Sequence, residues 1–268
     1  MPSHRTASRQ EWGAELTELL EREKEQTRRG DELARQRREP PWVRVEKEHT
    51  LATESGPRTL LQLFEERTEL MVYQFRFGPS YTARCPTCSS TADSFDGVLA
   101  HLEACDVTLI CVSTAPLEKL SAYRERMGWS FDWASSYASE FSVDYGTSAS
   151  GQAAGSLSDE PQLLASELAA LKLLNDQPAV REHLPLAASQ NASESGTDLP
   201  GYFSQGHGVS TFAREGDDVY DCYSTYARGT ELMMSYYAIL DRAPNGRSEG
   251  DQPMSWLRRR DEYGGRQG

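Results

Sequence analysis

At 268 residues the chain is long enough for one substantial core with appendages, and 38% hydrophobic and 9% aromatic residues exclude a wholly disordered protein. A formal net charge of −13 opposes any broad, nonspecific grip on nucleic acid or an anionic membrane. No stretch approaches the roughly 18–20 apolar residues of a membrane span, and five cysteines, an odd count, are not spread like a disulfide framework. A reducing, cytoplasmic setting is the expectation, since charged residues rather than an apolar h-region follow the N-terminus.

Residues 1–40 read as a helical arm. Ser8 and Glu11 have capping-box spacing, and Trp12, Leu16, Leu19 and Leu20 share one helical face. Eight basic and nine acidic residues between Arg9 and Glu39 leave the arm nearly neutral, which suits packing on the body or in a homodimer better than a nucleic-acid role. Gly30 is expected to interrupt the helix and Pro40-Pro41 to end it.

Residues 41–146 carry the main pattern. Trp42 to Leu51 alternates like a strand, Gly56-Pro57 marks a turn, and Thr59 to Glu66 suggests a short helix. Leu70 to Phe77 is a first central strand, closed by Gly78-Pro79. After Cys85-Pro86-Thr87-Cys88, Ser89 to Ala104 places Ala92, Phe95, Val98, Leu99 and Leu102 at helical spacing, and Val107 to Val112 is a second central strand. A helical stretch between two apolar strands is the expected crossover of a βαβ unit. Pro116 opens another helix with Leu117, Leu120, Tyr123 and Met127 inward, Gly128 stops it, and Phe131 to Tyr145 predicts a short strand and loop.

Residues 147–198 change in kind. TSASGQAAGSLSDE and PLAASQNASESGTD read as flexible linker around one insertion helix over Pro161–Asn175. Residues 199–243 return to the domain: Val209 to Arg214 and Val219 to Tyr226 predict a hairpin, and Glu231 to Leu240 a closing helix. Residues 244–268 form an irregular tail with Trp256 as its anchor.

The chemistry gathers at the Cys-Pro-Thr-Cys segment. Thiolate performs disulfide exchange, and a cysteine opening a helix meets unpaired N–H groups that favour negative charge. Pro86 suits the first helical position, Arg84 adds a neighbouring cation, and Cys88 lies one turn on from Cys85. These features predict Cys85 as nucleophile and Cys88 as resolving thiol of a thiol–disulfide oxidoreductase, with Thr87 inside the motif. Two other readings stand beside it. Cys85, Cys88, His101 and Cys105 have the spacing of a three-Cys, one-His zinc finger, which would make the segment a non-enzymatic, zinc-stabilised or redox-inert interaction module. Thr82, three residues before Cys85, partly matches the threonine ahead of a peroxidatic cysteine, which would make the protein a thiol peroxidase. Cys111 reads as core, Cys222 as core or else a remote redox partner, and Cys105 as a loop thiol. No Gly-rich dinucleotide fingerprint follows a strand, and dithiol chemistry requires no bound cofactor or metal.

With those residues in view, the sequence resembles the DUF899 family of thioredoxin-like, predicted dithiol–disulfide oxidoreductases. The resemblance runs through PWVRVEKE at Pro41–Glu48, FGP at Phe77–Pro79, CPTC at Cys85–Cys88, APLEKL at Ala115–Leu120, RMGWSF at Arg126–Phe131 and YSTYARG at Tyr223–Gly229. It implies an α/β, thioredoxin-like central sheet flanked by helices and a redox role for Cys85 and Cys88. The implied partners are a disulfide-containing small molecule or protein and an upstream thiol reductant. Thioredoxins proper carry a cis-proline before a late strand, whereas Gly208-Val209-Ser210-Thr211, the counterpart here, has none.

Overall fold

The computed structural model describes residues 5–148, 186–249 and 253–264. Contacts divide the chain into two compact units, residues 1–42 and 43–268. The first unit is one helix, α1 (Arg9–Gln36), opened by a capping box in which Ser8 and Glu11 each bond the other's backbone N–H. The helix runs through Gly30 without a break, contrary to expectation, because its surface is laced with i,i+3 and i,i+4 pairs: Lys24–Glu21, Arg28–Glu25, Arg29–Glu25 and Arg35–Glu32. Such pairs contribute about 0.2–0.5 kcal/mol each and together offset the glycine.

The second unit is built on an eight-stranded sheet. Its strands are β1 (Val43–Arg44), β2 (Thr50–Thr53), β3 (Gly56–Thr59), β4 (Glu69–Gln74), β5 (Val107–Ser113), β6 (Asp132–Ser135), β7 (Gly208–Glu215) and β8 (Asp218–Tyr226), in the order β1-β8-β7-β4-β5-β6-β2-β3. Strands β4, β5 and β6 are parallel, and β7 and β8 continue antiparallel from β4. Helices α2 (Pro86–Ala92) and α3 (Leu99–Ala104) cross from β4 to β5, and α4 (Leu117–Met127) crosses from β5 to β6. A parallel βαβ pair bordered by an antiparallel hairpin, with the dithiol at the start of the crossover helix, is a thioredoxin-like fold. No described helix is long and apolar enough to cross a membrane.

Period-two alternation splits the core between the two sheet faces. Leu70 and Val72 of β4 join Ile110, Val112, Phe141 and Phe212 on one face. Tyr73 joins Phe75, Cys111, Tyr123, Trp129 and Trp133 on the other, with both sulfurs of the dithiol. Each fully buried side chain of this size contributes about 1.5–3 kcal/mol.

Several expected elements are resolved differently. Trp42 to Leu51 is not one strand, because the chain turns inward at buried His49, whose ring meets Phe141 and Tyr145 edge-on at 5.4 and 5.7 Å. Gly56-Pro57 is not the turn either: Thr53 pairs with Gly56, so the turn is Glu54-Ser55, and Gly56, at φ 106°, opens β3. The short helix after it is one 3-10 turn, Leu61–Phe64. The crossover is also not a single helix. The Asp93 carboxylate accepts from Trp129 Nε1 at 2.8 Å, and that of Asp96 accepts from Ser130 N at 2.7 Å. These bonds draw residues 93–98 toward the loop after α4, break the helix there, and leave Val98 exposed. The α4 helix and the β7–β8 hairpin match their sequence patterns, and Gly128 ends α4 at φ 64°.

Between β6 and β7 lie α5 (Phe141–Asp144), α6 (Leu186–Glu194) and α7 (Leu199–Phe203). The expected helix over Pro161–Asn175 lies outside the described residues. The segment read as linker before residue 198 is instead α6: its small side chains permit close packing, with Ala192 and Ser195 buried. The expected closing helix divides at Met234 into a 3-10 stretch, Ala227–Met233, and α8 (Ser235–Leu240). The described residues of the tail form turns without a regular helix or strand, and Trp256 Nε1 donates to Glu249 Oε1 at 3.0 Å.

Candidate active site

The dithiol sits where strand becomes helix. Cys85 holds the N-cap position of α2 with extended backbone angles, and Pro86, which has no N–H to leave unpaired, fills the first turn. Ser89 Oγ donates to the Cys85 carbonyl at 2.8 Å and the Tyr73 hydroxyl donates to the Cys88 carbonyl at 3.2 Å, fixing the first turn over the aromatic face of the sheet. Cys85 and Cys88 are free thiols, each 1% exposed.

The later segments close around this turn. Asn191 Nδ2 of α6 donates to Thr87 Oγ1 at 3.1 Å, and Ala83 N donates to the Ser195 carbonyl at 3.1 Å. Tyr81 donates its hydroxyl to the carbonyls of Gly201 and Tyr202, at 2.9 and 3.1 Å. From the tail, the buried Arg259 guanidinium bonds the Arg84 carbonyl and the Glu194 carbonyl, the latter at 2.8 Å. What is left is a cavity of about 190 Å³ whose wall includes Cys85, Cys88, Arg76, Tyr202 and His207 together with Ala188, Phe203, Met234 and Met254. Arg228, 81% exposed along its side chain and paired with Glu231 at 2.6 Å, marks the open side.

The two sulfurs are electrostatically unequal. Burial pushes the Cys85 thiol up, but contacts with Cys88, the Arg76 charge and the Tyr202 hydroxyl outweigh it and draw the group down to about 6. Burial and the adjoining Cys85 push Cys88 well above the ordinary thiol range. Tyr202 Oη lies 3.5 Å from Cys85 Sγ, and the Arg76 guanidinium stacks 4.2 Å over the Tyr202 ring. His207 is held near 3, by burial first and by Arg76 second, so it is neutral around pH 7.

The structure brings together Cys85, Pro86, Thr87 and Cys88 but not the other expected site residues. Arg84 is not the cation on Cys85: its guanidinium is clamped between the Phe77 and Tyr123 rings, at 4.8 and 4.6 Å, and donates to the Lys119 carbonyl. That place is taken by Arg76. Thr82 is exposed and packs against Gly196, outside the cavity wall. The zinc spacing does not close up, since His101 and Cys105 are exposed on and after α3 while Cys85 and Cys88 are buried. Among the described residues no three His, Cys, Asp or Glu side chains are placed to share a metal ion. Cys111 is a core thiol, Cys105 is exposed, and Cys222 is partly buried on β8.

No cis peptide bond occurs among the described residues, and His207-Gly208 leads into β7 beside the dithiol. Gly208 is required by close approach: a Cβ there would meet the Tyr226 ring at 2.5 Å and the Thr225 carbonyl at 2.7 Å. Arg76, Tyr202 and His207 were not singled out by the sequence pattern. Arg76 alone carried a usable signal, a lone charge inside the apolar run YQFRF just ahead of the dithiol.

A model of the family described as "Bacterial protein of unknown function (DUF899)" matches residues 1–263. No curated protein matches the chain. Among solved structures, peroxiredoxin Q from Xanthomonas campestris is similar at 11% identity and TM-score 0.39, over 70% of this chain and 87% of that one. A mutant of PrxQ from Xylella fastidiosa is similar at 13% identity and TM-score 0.40, over 71% and 88%. The mitochondrial 2-Cys peroxiredoxin from Plasmodium falciparum is similar at 11% identity and TM-score 0.38, over 73% and 90%.

Proposed function

The chain belongs to the DUF899 family, and we propose that it is a thiol-redox enzyme cycling between the Cys85/Cys88 dithiol and its disulfide. The observation that carries this reading is the placement of two free, buried thiols at the opening turn of α2, with the Tyr202 hydroxyl 3.5 Å from the Cys85 sulfur. A group near 6 is mostly thiolate at pH 7, so Cys85 attacks, and Cys88 keeps its proton until resolution. Attack of the Cys85 thiolate on an electrophilic sulfur or oxygen joins that atom to Cys85 and breaks its bond to the rest of the substrate, which leaves with the electron pair and takes up a proton. Cys88 then displaces the joined atom, giving up its proton and closing the Cys85–Cys88 disulfide. An upstream thiol restores the dithiol through a mixed disulfide on one of the two sulfurs, which suits a reducing compartment such as the cytoplasm.

Because both sulfurs lie inside the cavity, the electrophile is a small molecule and not a folded protein's disulfide. With Cys88→Ser the resolving step is lost, and treatment of the reduced chain with a small oxidant should leave Cys85 capped in an adduct seen by mass spectrometry. The unsubstituted chain should instead lose two hydrogens and gain no adduct. A Cys88→Ser chain that leaves Cys85 as free thiol under the same treatment contradicts the assignment.

A further inference from the structure

We propose that the cavity beside Cys85 takes small organic hydroperoxides, with Tyr202 and Arg76 serving the oxygen that leaves. The inference rests on the dithiol reading above and names the substrate class of that site.

Three features of the cavity favour a hydroperoxide over a disulfide. The first is size. About 190 Å³ is below the roughly 300–1,000 Å³ that admits drug-sized ligands. Exchange with a disulfide aligns attacker, attacked sulfur and leaving sulfur, and each substrate sulfur brings its own substituent into the enclosure. A hydroperoxide presents a terminal OH to the sulfur and has one substituent to house. A thiol reductant is likewise terminal, so its entry for the return half-reaction meets no such conflict.

The second feature is the leaving group. A thiolate departs unaided, its acid having a pKa of about 8.5. An alkoxide, whose acid lies near water at about 16, needs a proton and a nearby positive charge. The Tyr202 hydroxyl stands 3.5 Å from the Cys85 sulfur, and the Arg76 guanidinium lies on the ring that carries this hydroxyl. Disulfide exchange would use the pair only to hold Cys85 as thiolate, because its leaving group needs neither.

The third feature is the apolar part of the wall. Phe203, Met234, Met254 and Ala188 offer apolar surface to an organic substituent.

The chemistry balances as follows. The Cys85 thiolate attacks the terminal oxygen of R–O–O–H: the S–O bond forms, the O–O bond breaks, and RO⁻ leaves with the electron pair. RO⁻ takes the Tyr202 hydroxyl proton and departs as ROH, and solvent returns to Tyr202 the proton that Cys85 released on ionising. Cys88 then attacks the Cys85 sulfenic acid. The S–S bond forms, the S–O bond breaks, and hydroxide leaves as water with the Cys88 proton. Two thiols are oxidised by two electrons, and one peroxide is reduced to an alcohol and water.

The test uses the full chain, reduced, with equal concentrations of tert-butyl hydroperoxide, hydrogen peroxide or bis(2-hydroxyethyl) disulfide. Samples are acid-quenched and alkylated, and the Cys85–Cys88 disulfide is followed by mass spectrometry. Each rate is divided by that of N-acetylcysteine with the same oxidant. The expected enhancement is at least tenfold greater for tert-butyl hydroperoxide than for the disulfide reagent, and greater than for hydrogen peroxide. At pH 8, above the Cys85 midpoint, where the thiolate forms with or without this hydroxyl, Tyr202→Phe should lower the hydroperoxide rate tenfold or more while changing the disulfide rate less than threefold. An equal or larger enhancement with the disulfide reagent overturns the hydroperoxide assignment and leaves the dithiol reading standing. A larger one with hydrogen peroxide overturns its organic part, and an equal loss of both rates in Tyr202→Phe overturns the role of Tyr202. Failure of all three oxidants to form the disulfide overturns the dithiol reading itself.

Discussion

The two faces of the central sheet are made by the same strands to opposite ends. On one, Leu70, Val72, Ile110, Val112 and Phe212 meet Leu51, Leu63 and Phe64 in a core closed by apolar side chains. Its buried polar members are satisfied: Gln74 Nε2 donates to Ser210 Oγ at 2.9 Å and to the Tyr145 carbonyl at 3.3 Å. On the other face, Tyr73, Phe75, Trp129 and Trp133 back a broken crossover helix, and above them sits an open cavity with two sulfurs and a buried cation. The closed face is covered in part by the hairpin and 3-10 turn that precede β4 in the chain. The open face is roofed by segments that arrive late, α6, α7 and the tail. Stability is concentrated where packing is complete, and reactivity where the roof leaves space.

Substitutions should separate the two. The largest effect is expected from Phe212→Ala, which empties a fully buried aromatic site on the closed face. It should cost about 3–5 kcal/mol in denaturant unfolding while leaving the pH midpoint of Cys85 alkylation in place. A moved midpoint would mean that the faces are not independent.

Next is Arg76→Met on the open face. Cys85 is drawn down to about 6 partly by this cation, so the wild-type alkylation rate should rise through that pH and level off above it. Removing the charge should carry the midpoint up by about one unit, ~1.4 kcal/mol of thiolate stabilisation. An unchanged midpoint would deny Arg76 its role.

Of similar size is an effect on pH-dependent stability. His207 is held near 3 in the folded chain against about 6.5 unfolded, so the unfolded state binds the extra proton between those values. Its contribution therefore falls as pH drops below about 6.5 and levels off near 3. Between pH 7 and pH 5 the wild type should lose about 1–2 kcal/mol more than His207→Asn in urea titrations. Equal losses would contradict a buried neutral imidazole.

What the sequence made legible follows the same division. The β4 and β5 patterns could be read because a strand buried on both faces is a short continuous apolar run, and α4 because it buries one face, so its helical periodicity survives in the residues. The dithiol was legible because two cysteines and a proline between strand and helix are themselves the chemistry. The roof was not. Ala188-Ser189 and the residues after them are small and polar in the manner of a linker, and they form α6 where Asn191 reaches Thr87 of α2. Tyr202 reaches Cys85 across 117 positions, a separation no local pattern encodes. Arg84 was the natural partner by adjacency, but the turn into α2 sends its side chain between Phe77 and Tyr123, and Arg76, nine positions from Cys85, faces the sulfur instead.

The most direct test is a redox titration of the full chain, in thiol–disulfide buffers of graded potential, with differential alkylation and mass spectrometry of every cysteine peptide. The account predicts one reversible two-electron couple confined to Cys85 and Cys88, with Cys105, Cys111 and Cys222 still free thiols where it is oxidised, and lost in Cys85→Ser. Cys85 and Cys88 remaining separate thiols at every potential, or either one pairing with another cysteine, would contradict it.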